Sequence, residues 1–190
     1  MRKVINPMNS SNACEIIRQA RTPHVKPPRT EVHKEAIPDE LTRLKQWIVW
    51  KYEWRPDKAK EWTKPLYQVK ERGKKASSTD PSTWAAFEDA YQSYLTHRDI
   101  DGIGFVFTPE DPYFGIDLDH CLNGGKPEAW AQEILNMFPG TYQEITPSGT
   151  GLHIIGKGKL PDKGKKKGDL EAYDRGRYFT MTGVLYECHS

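Results

Sequence analysis

Short runs of alternating apolar and polar residues fill most of positions 37–183, interrupted by two stretches with helical rhythm. Trp47-Ile48-Val49-Trp50-Lys51-Tyr52 is rich in aromatic and β-branched residues and predicts a strand. Lys64–Val69 is its expected hairpin partner, beyond a charged turn that holds Pro56. Asp80 can cap a helix and Pro81 suits its first turn; Trp84, Phe87, Tyr91, Tyr94 and Leu95 then keep a 3.6-residue period. Ile103–Phe107 and Tyr113–Asp119 are two apolar runs split by Thr108-Pro109-Glu110-Asp111-Pro112, which predicts a hairpin. A second amphipathic helix is expected from Pro127 to Phe138, with Trp130, Ile134, Met137 and Phe138 on one side. Tyr142–Thr146, Leu152–Ile155, Asp169–Tyr173 and Tyr178–Thr182 complete the strands.

Strands mixed with two helices, without regular β-α-β alternation, indicate an α+β fold around a largely antiparallel sheet. Residues 1–36 hold four prolines and one short helical candidate at Cys14–Ala20, and read as a flexible N-terminal arm. The ordered domain, residues 37–190, is expected to begin at Ile37-Pro38-Asp39-Glu40-Leu41, with Asp39 as an N-cap.

Composition narrows the class. A chain of 190 residues fits one domain with a real core. No apolar run approaches the roughly 20 residues needed to span a bilayer, and the N-terminus has no apolar signal region, so no membrane partner is expected. Three scattered cysteines without a C-x-x-C pair fit reduced thiols in a cytoplasmic protein. The net charge of +2 is uninformative, but its distribution is not. Between Gly151 and Arg177, six Lys and two Arg face four acids. That local excess beside candidate carboxylates fits a polyanion, nucleic acid or a triphosphate, and equally a solvated lysine-rich loop.

Phe114-Gly115-Ile116-Asp117-Leu118-Asp119 carries the first candidate chemistry. On a strand, Ile116 and Leu118 take one face, Asp117 and Asp119 the other, with α-carbons roughly 6.5–7 Å apart. Such carboxylates can converge on two cations about 4 Å apart, as phosphoryl transfer requires. Taken alone, the motif also fits a strand with an acidic outer face. Thr146-Pro147-Ser148-Gly149-Thr150-Gly151-Leu152-His153 follows. Its small residues form a tight turn whose N–H groups can approach an anion, with hydroxyls on Ser148 and Thr150. Alternation sends His153 away from Leu152 and Ile154. On a strand beside Asp117 and Asp119 it could donate to a triphosphate oxygen, and a lone strand histidine also fits an ordinary polar face. The spacing of a phosphate-binding P-loop is absent. Glu171 can supply a third carboxylate for Mg²⁺ or Mn²⁺, with Asp174 in reserve as that acid or as a turn residue pairing with Arg175 or Arg177. Arg175 and Arg177, two apart, can share a face and neutralise phosphate. Lys157, Lys159, Lys163, Lys165, Lys166 and Lys167 are candidate contacts to a nucleic-acid backbone.

Asp-x-Asp, then Ser-x-x-x-x-His, then a late acid resemble the three motifs of the archaeo-eukaryotic primase superfamily. Lys75–Trp84, Asp101–Phe107, Pro147–His153 and Gly176–Gly183 are similar to the N-terminal primase-polymerase domain of phage and plasmid replication proteins. The resemblance covers residues 37–183. It implies an RRM-like catalytic sheet with flanking helices, joined to a small N-terminal α/β unit. It implies template-directed joining of dNTPs or NTPs on a single-stranded DNA template and primer, with Mg²⁺ or Mn²⁺. Asp117, Asp119 and Glu171 would hold the metals; Ser148 and His153 would contact the incoming triphosphate. Such domains are usually followed by a helical initiation region and often a helicase, so a separate helicase or primer-initiation subunit is an expected partner.

Three other readings share these residues. A primase-like binding module without turnover would keep nucleic-acid affinity alone. A phosphatase with Asp117 as nucleophile is disfavoured by the 71 residues after Asp119, few for that fold, and by His120-Cys121 where a small hydroxyl residue is expected. A two-metal nuclease would use the same acids.

Overall fold

A computed structural model describes residues 25–55, 62–161 and 164–186. The helix expected at Cys14–Ala20 lies outside them, as does Lys163. In chain order the elements are α1 (Asp39–Thr42), β1 (Trp47–Trp50), β2 (Glu53–Trp54), β3 (Trp62–Thr63), β4 (Leu66–Tyr67), α2 (Phe87–Thr96) and β5 (Gly102–Phe107). There follow β6 (Tyr113–Leu118), β7 (Leu122–Asn123), β8 (Lys126–Pro127), α3 (Ala129–Met137), β9 (Tyr142–Ile145), β10 (Leu152–Lys157), β11 (Lys165–Lys167), β12 (Leu170–Tyr173) and β13 (Arg177–Met181).

Two antiparallel sheets carry the fold, one ordered β13-β5-β1-β4 and the other β11-β12-β6-β10-β9. Antiparallel strands with few helices make this an α+β architecture. Among the described residues no helix is long and apolar enough to cross a membrane.

The expected pairing of Lys64–Val69 with the first strand is present, as Val49 opposite Tyr67 and Trp50 opposite Leu66. The expected hairpin of Ile103–Phe107 with Tyr113–Asp119 is not. β5 is flanked by β1 and β13, β6 by β10 and β12, so the chain changes sheet between them. Asp111 shapes that crossing. Its buried carboxylate accepts hydrogen bonds from the Thr108 N–H (3.0 Å), the Thr108 hydroxyl (2.8 Å), the Tyr113 N–H (2.7 Å) and the Gln46 amide (2.7 Å). The chain returns between β12 and β13, where the Gly176 N–H donates to the Phe107 carbonyl (3.1 Å).

Both expected helices are shorter than their rhythm. Asp80 caps only a 3₁₀ turn at Pro81–Thr83, accepting from the Ser82 N–H (3.0 Å). Trp84 therefore lies outside α2 and packs with Ile48 and Val106; Ala85 bridges to Trp47. Leu95 and Met137 are exposed, leaving Phe87, Ala90 and Tyr94 as the buried apolar residues of α2 and Ala131 and Leu135 as those of α3. Asp39 sits inside the first turn of α1, whose N-cap is Pro38.

Residues 26–36, expected within the flexible arm, are packed. Val32 is buried in the main core, and Thr30 and His33 donate backbone hydrogen bonds to the carbonyls of Asp101 (3.0 Å) and Thr182 (2.8 Å). The Arg29 guanidinium lies 3.8 Å over the Tyr94 ring and donates to the Ile100 and Tyr94 carbonyls. Packed chain thus starts before the expected boundary at residue 37.

α3 covers one face of the second sheet, where Phe114, Ile116, Leu118, Leu152 and Ile154 form a core with Ala131 and Leu135. The opposite face meets the first sheet through Phe107 and Phe179. Their rings lie against Gly115, where an added Cβ would come within 2.4 Å of Phe179 and 2.6 Å of Phe107. Gly115→Ala should therefore cost about 1–3 kcal/mol through overpacking. At about 2–4 °C per kcal/mol for a chain of this size, thermal unfolding should shift down by several degrees. An unchanged midpoint would mean that the rings are free to move aside.

Candidate active site

The site is a row of side chains set by strand register. Lys166 on β11 lies opposite Glu171 on β12, Glu171 opposite Asp117 on β6, Asp117 opposite His153 on β10, and His153 opposite Glu144 on β9. All five share the face turned from α3, because their neighbours Leu170, Ile116, Leu118, Leu152 and Ile154 are the ones buried beneath it. Neighbouring strands lie about 4.8 Å apart, so the row brings residues distant in sequence within reach of one another. Asp119, two residues beyond Asp117, takes the same face; its N–H is held by the Asp169 carbonyl (2.8 Å).

Glu144 anchors the row, and the sequence reading missed it. It is fully buried and accepts hydrogen bonds from His153 Nδ1 (3.0 Å), the Tyr142 hydroxyl (2.8 Å), the Thr182 N–H (2.9 Å) and hydroxyl (3.1 Å), and the Gly183 N–H (2.7 Å). Burial beside this acid pushes the Tyr142 phenol well above its ordinary range. A carboxylate can only accept, so Nδ1 of His153 carries the proton in that bond. Its Nε2 faces Asp117 Oδ1 at 3.7 Å, beyond hydrogen-bond reach, and the imidazole stacks on Phe179 with centroids 4.3 Å apart. The available signal was the phase of Tyr142-Gln143-Glu144-Ile145, which places an acid on the inner face of a strand.

Asp117 is the strained member. Its Oδ1 is buried with no hydrogen-bond partner. Burial pushes its carboxyl upward, His153 opposes that, and Asp119 and Glu171 push further in the same direction as burial. Burial also tends to raise Glu171, but hydrogen bonds from Lys166 and Tyr173 outweigh it and hold the carboxyl low. Two neighbouring acids are thus driven opposite ways, one lacking partners and the other supplied with them.

The remaining expected residues divide. Ser148 sits at the pocket edge, bonded to the hydroxyls of Thr146 (2.9 Å) and Thr150 (3.1 Å). Gly149 takes φ +71° in the turn, and neither it nor Thr150 lines the pocket. Arg177 lines the pocket, its guanidinium 4.9 Å over the Tyr173 ring. Arg175 does not share that face. It pairs with the buried Asp174 through two bonds (2.7 and 2.8 Å), because the left-handed Gly176 (φ +64°) breaks the alternation that two-residue spacing assumed. Asp174, in turn, accepts from the Leu160 N–H (3.0 Å) and stands apart from the acids.

The lysines form no single patch. Lys157 pairs with Glu40 (2.5 Å), Lys159 donates to the Pro109 (2.8 Å) and Asp111 carbonyls, and Lys166 joins Glu171. Lys165 and Lys167 take the other face of β11 from Lys166.

Asp117, Asp119, Glu171, His153, Ser148 and Arg177 line a cavity of about 790 Å³. Its carboxylate wall holds Asp117, Asp119 and Glu171 beside His153; Pro27, Pro28, Tyr52, Trp62 and Lys64 complete the lining from the N-terminal part of the chain. An open cavity with acids, an imidazole and hydroxyls on one sheet face is suited to phosphate chemistry.

Comparison with known proteins finds similarity to a phage primase-polymerase. The DNA primase-polymerase of Nitratiruptor phage NrS-1 is 43% identical over 155 residues, which is 77% of this chain and 20% of that protein. The chain therefore spans about one fifth of the length of the relative it matches. No family model matches it.

Two outcomes follow from the electrostatics. With its folded pKa raised, Asp117 costs no stability below the ordinary carboxylate pKa of about 4, and costs more as pH rises through the folded value. Asp117→Asn should therefore raise the unfolding midpoint at pH 7 in chelator by a few degrees, the gap closing near pH 4. Glu144→Ala strands His153 Nδ1, the Tyr142 hydroxyl and the Thr182 and Gly183 N–H groups, and should cost about 3 kcal/mol or more in denaturant unfolding. A neutral result would show that the network is dispensable.

Proposed function

We propose that the chain carries template-directed nucleotidyl transfer, joining dNTPs or NTPs to a primer on single-stranded DNA. The observation that carries this reading is Asp117 Oδ1, a buried, unpartnered oxygen at the centre of a row of acids and a histidine. A carboxylate oxygen left so exposed to its own charge is suited to a cation, and an all-oxygen donor set suits Mg²⁺ or Mn²⁺. Asp117 and Asp119 are the ligands of this reading, with Glu171 as the third.

Among the described residues no three His, Cys, Asp or Glu side chains are gathered closely enough to hold a metal as they stand. Glu171 is engaged by Lys166 and Tyr173. Joining the donor set would require Lys166, whose side chain is 60% exposed, to swing away. When bound, two such ions would lower the pKa of an attacking 3′-hydroxyl and stabilise a leaving pyrophosphate.

The chain's own residues would do the rest. Glu144 fixes the Nδ1 proton of His153, so Nε2 is the nitrogen free to address a phosphate oxygen. With Nδ1 already protonated, it donates there only when Nε2 carries a proton as well. Ser148 offers a hydroxyl at the pocket edge, and Arg177 a guanidinium for bidentate phosphate contact. Arg175, committed to Asp174, has no part in this scheme.

Extension of a labelled primer on a single-stranded template, with Mg²⁺ or Mn²⁺ and either nucleotide type, tests the reading. Growth is expected in the wild type and should be abolished in Asp117→Ala/Asp119→Ala. No growth, with DNA bound normally, would favour a binding module; cleavage without nucleotides would favour a nuclease.

A further inference from the structure

Four of the six tryptophans in this chain (Trp47, Trp50, Trp54 and Trp62) lie within sixteen residues, and they divide by role. Trp47 and Trp50 are wholly buried and build the core. Trp62 and its neighbour Tyr52 are only half-buried, and both face the cavity that holds Asp117. A ring that served packing alone would gain more by complete burial, at about 25 cal/mol per Å².

Both residues are anchored through their backbones. The Tyr52 N–H donates to Asp101 Oδ2 (2.7 Å), and Asp101 Oδ1 pairs with Lys26 (2.8 Å), so one buried carboxylate fixes Tyr52 and the segment leading into Pro27-Pro28. Trp62 is set by the β2–β3 pairing, opposite Trp54, whose ring meets its own at 5.4 Å and 66°. Tyr52 and Trp62 meet edge to face, centroids 6.3 Å apart, so neither ring stacks flat on the other.

We infer that Tyr52 and Trp62 form a stacking wall for a nucleobase, on the side of the cavity built from the N-terminal part of the chain. A base presents a flat π-surface to an aromatic side chain regardless of its sequence identity. With acids and phosphate-directed groups on the sheet, an aromatic wall on the other elements completes a site for a molecule that is anionic at one end and flat at the other. The inference rests on the nucleotidyl-transfer reading for that polyphosphate end. The base can belong to an incoming nucleotide or to the nucleic-acid strand, and the test separates them.

Binding is measured on the full chain with Mg²⁺ and no primer. Calorimetry compares dATP with inorganic tripolyphosphate; fluorescence anisotropy compares a labelled oligo-dT with an oligomer abasic throughout. Trp62→Ala should weaken one base-bearing ligand by about 5- to 150-fold, the weight of one stacked base, and spare its base-free counterpart. Trp62→Phe should recover most of that loss. Loss on dATP alone assigns the incoming nucleotide, and loss on oligo-dT alone the strand. Equal binding of all four ligands by wild type and variant, or a loss that falls equally on the base-free probes, overturns the wall. Because the readout is binding, a chain that stacks bases without extending primers would sink the catalytic reading and leave this one standing.

Discussion

A carboxylate with no exposed surface must find its donors inside the protein, and Glu144 finds five. They come from β9 itself, from His153 on β10, and from Thr182-Gly183 just after β13. Those three stretches can meet in only one arrangement without stranding a buried charge, a cost of several kcal/mol. The same constraint reaches further. Gly183 takes φ +69° with the His33 carbonyl 2.1 Å from where a Cβ would stand, so the N-terminal segment is pressed against this very turn. The network that orients one imidazole thus also ties the segment at His33 to the stretch after β13.

The cavity lies where two sheets meet, and the chain crosses between them after β5, after β12 and again after β13, where Val184 and Tyr186 hydrogen-bond along β9. Phe107 and Phe179, from neighbouring strands of the first sheet, close over Gly115 of the second, and Phe179 also stacks on His153. One sheet supplies the acids and the imidazole. The N-terminal elements supply Tyr52, Trp62 and Lys64 across the gap. The relative placement of the two walls is therefore set by aromatic packing at the joint, and only secondarily by groups within the cavity.

How much of this was legible follows from where alternation is clean. β6 and β10 alternate polar or small with large apolar residues although both their faces are buried, so Asp117 and His153 could be assigned to the face opposite Ile116, Leu118, Leu152 and Ile154 from residues alone. β5 is buried on both faces, and an unbroken apolar run carries no sign of its partners. That is why the hairpin was expected where the sheets in fact separate. Trp84 kept the helical period yet sits in an extended linker, because Ala85 pairs with Trp47 before the helix begins. Arg175 was misplaced by one glycine, whose left-handed turn rotates the chain between two residues that should have pointed alike. Glu144 gave only a faint signal, since an acid in a short strand is commonly a surface residue. Its meaning depends on donors 38 and 39 positions away.

The pairwise register of the row has a bearing on how such a site can persist through sequence change. If β12 slipped by one residue against β6, Leu170 and Ala172 would enter the cavity and Glu171 would be driven into the core under α3. The same holds for β10, where the chain neighbours of His153 are Leu152 and Ile154. Misassembly of the acids is thus paired with exposure of the hydrophobic face, and the fold rejects it on grounds unconnected with chemistry. Drift in the core residues, so long as it keeps their apolar character, carries the acids along in alignment. The greasy side of the sheet acts as custodian of the polar one.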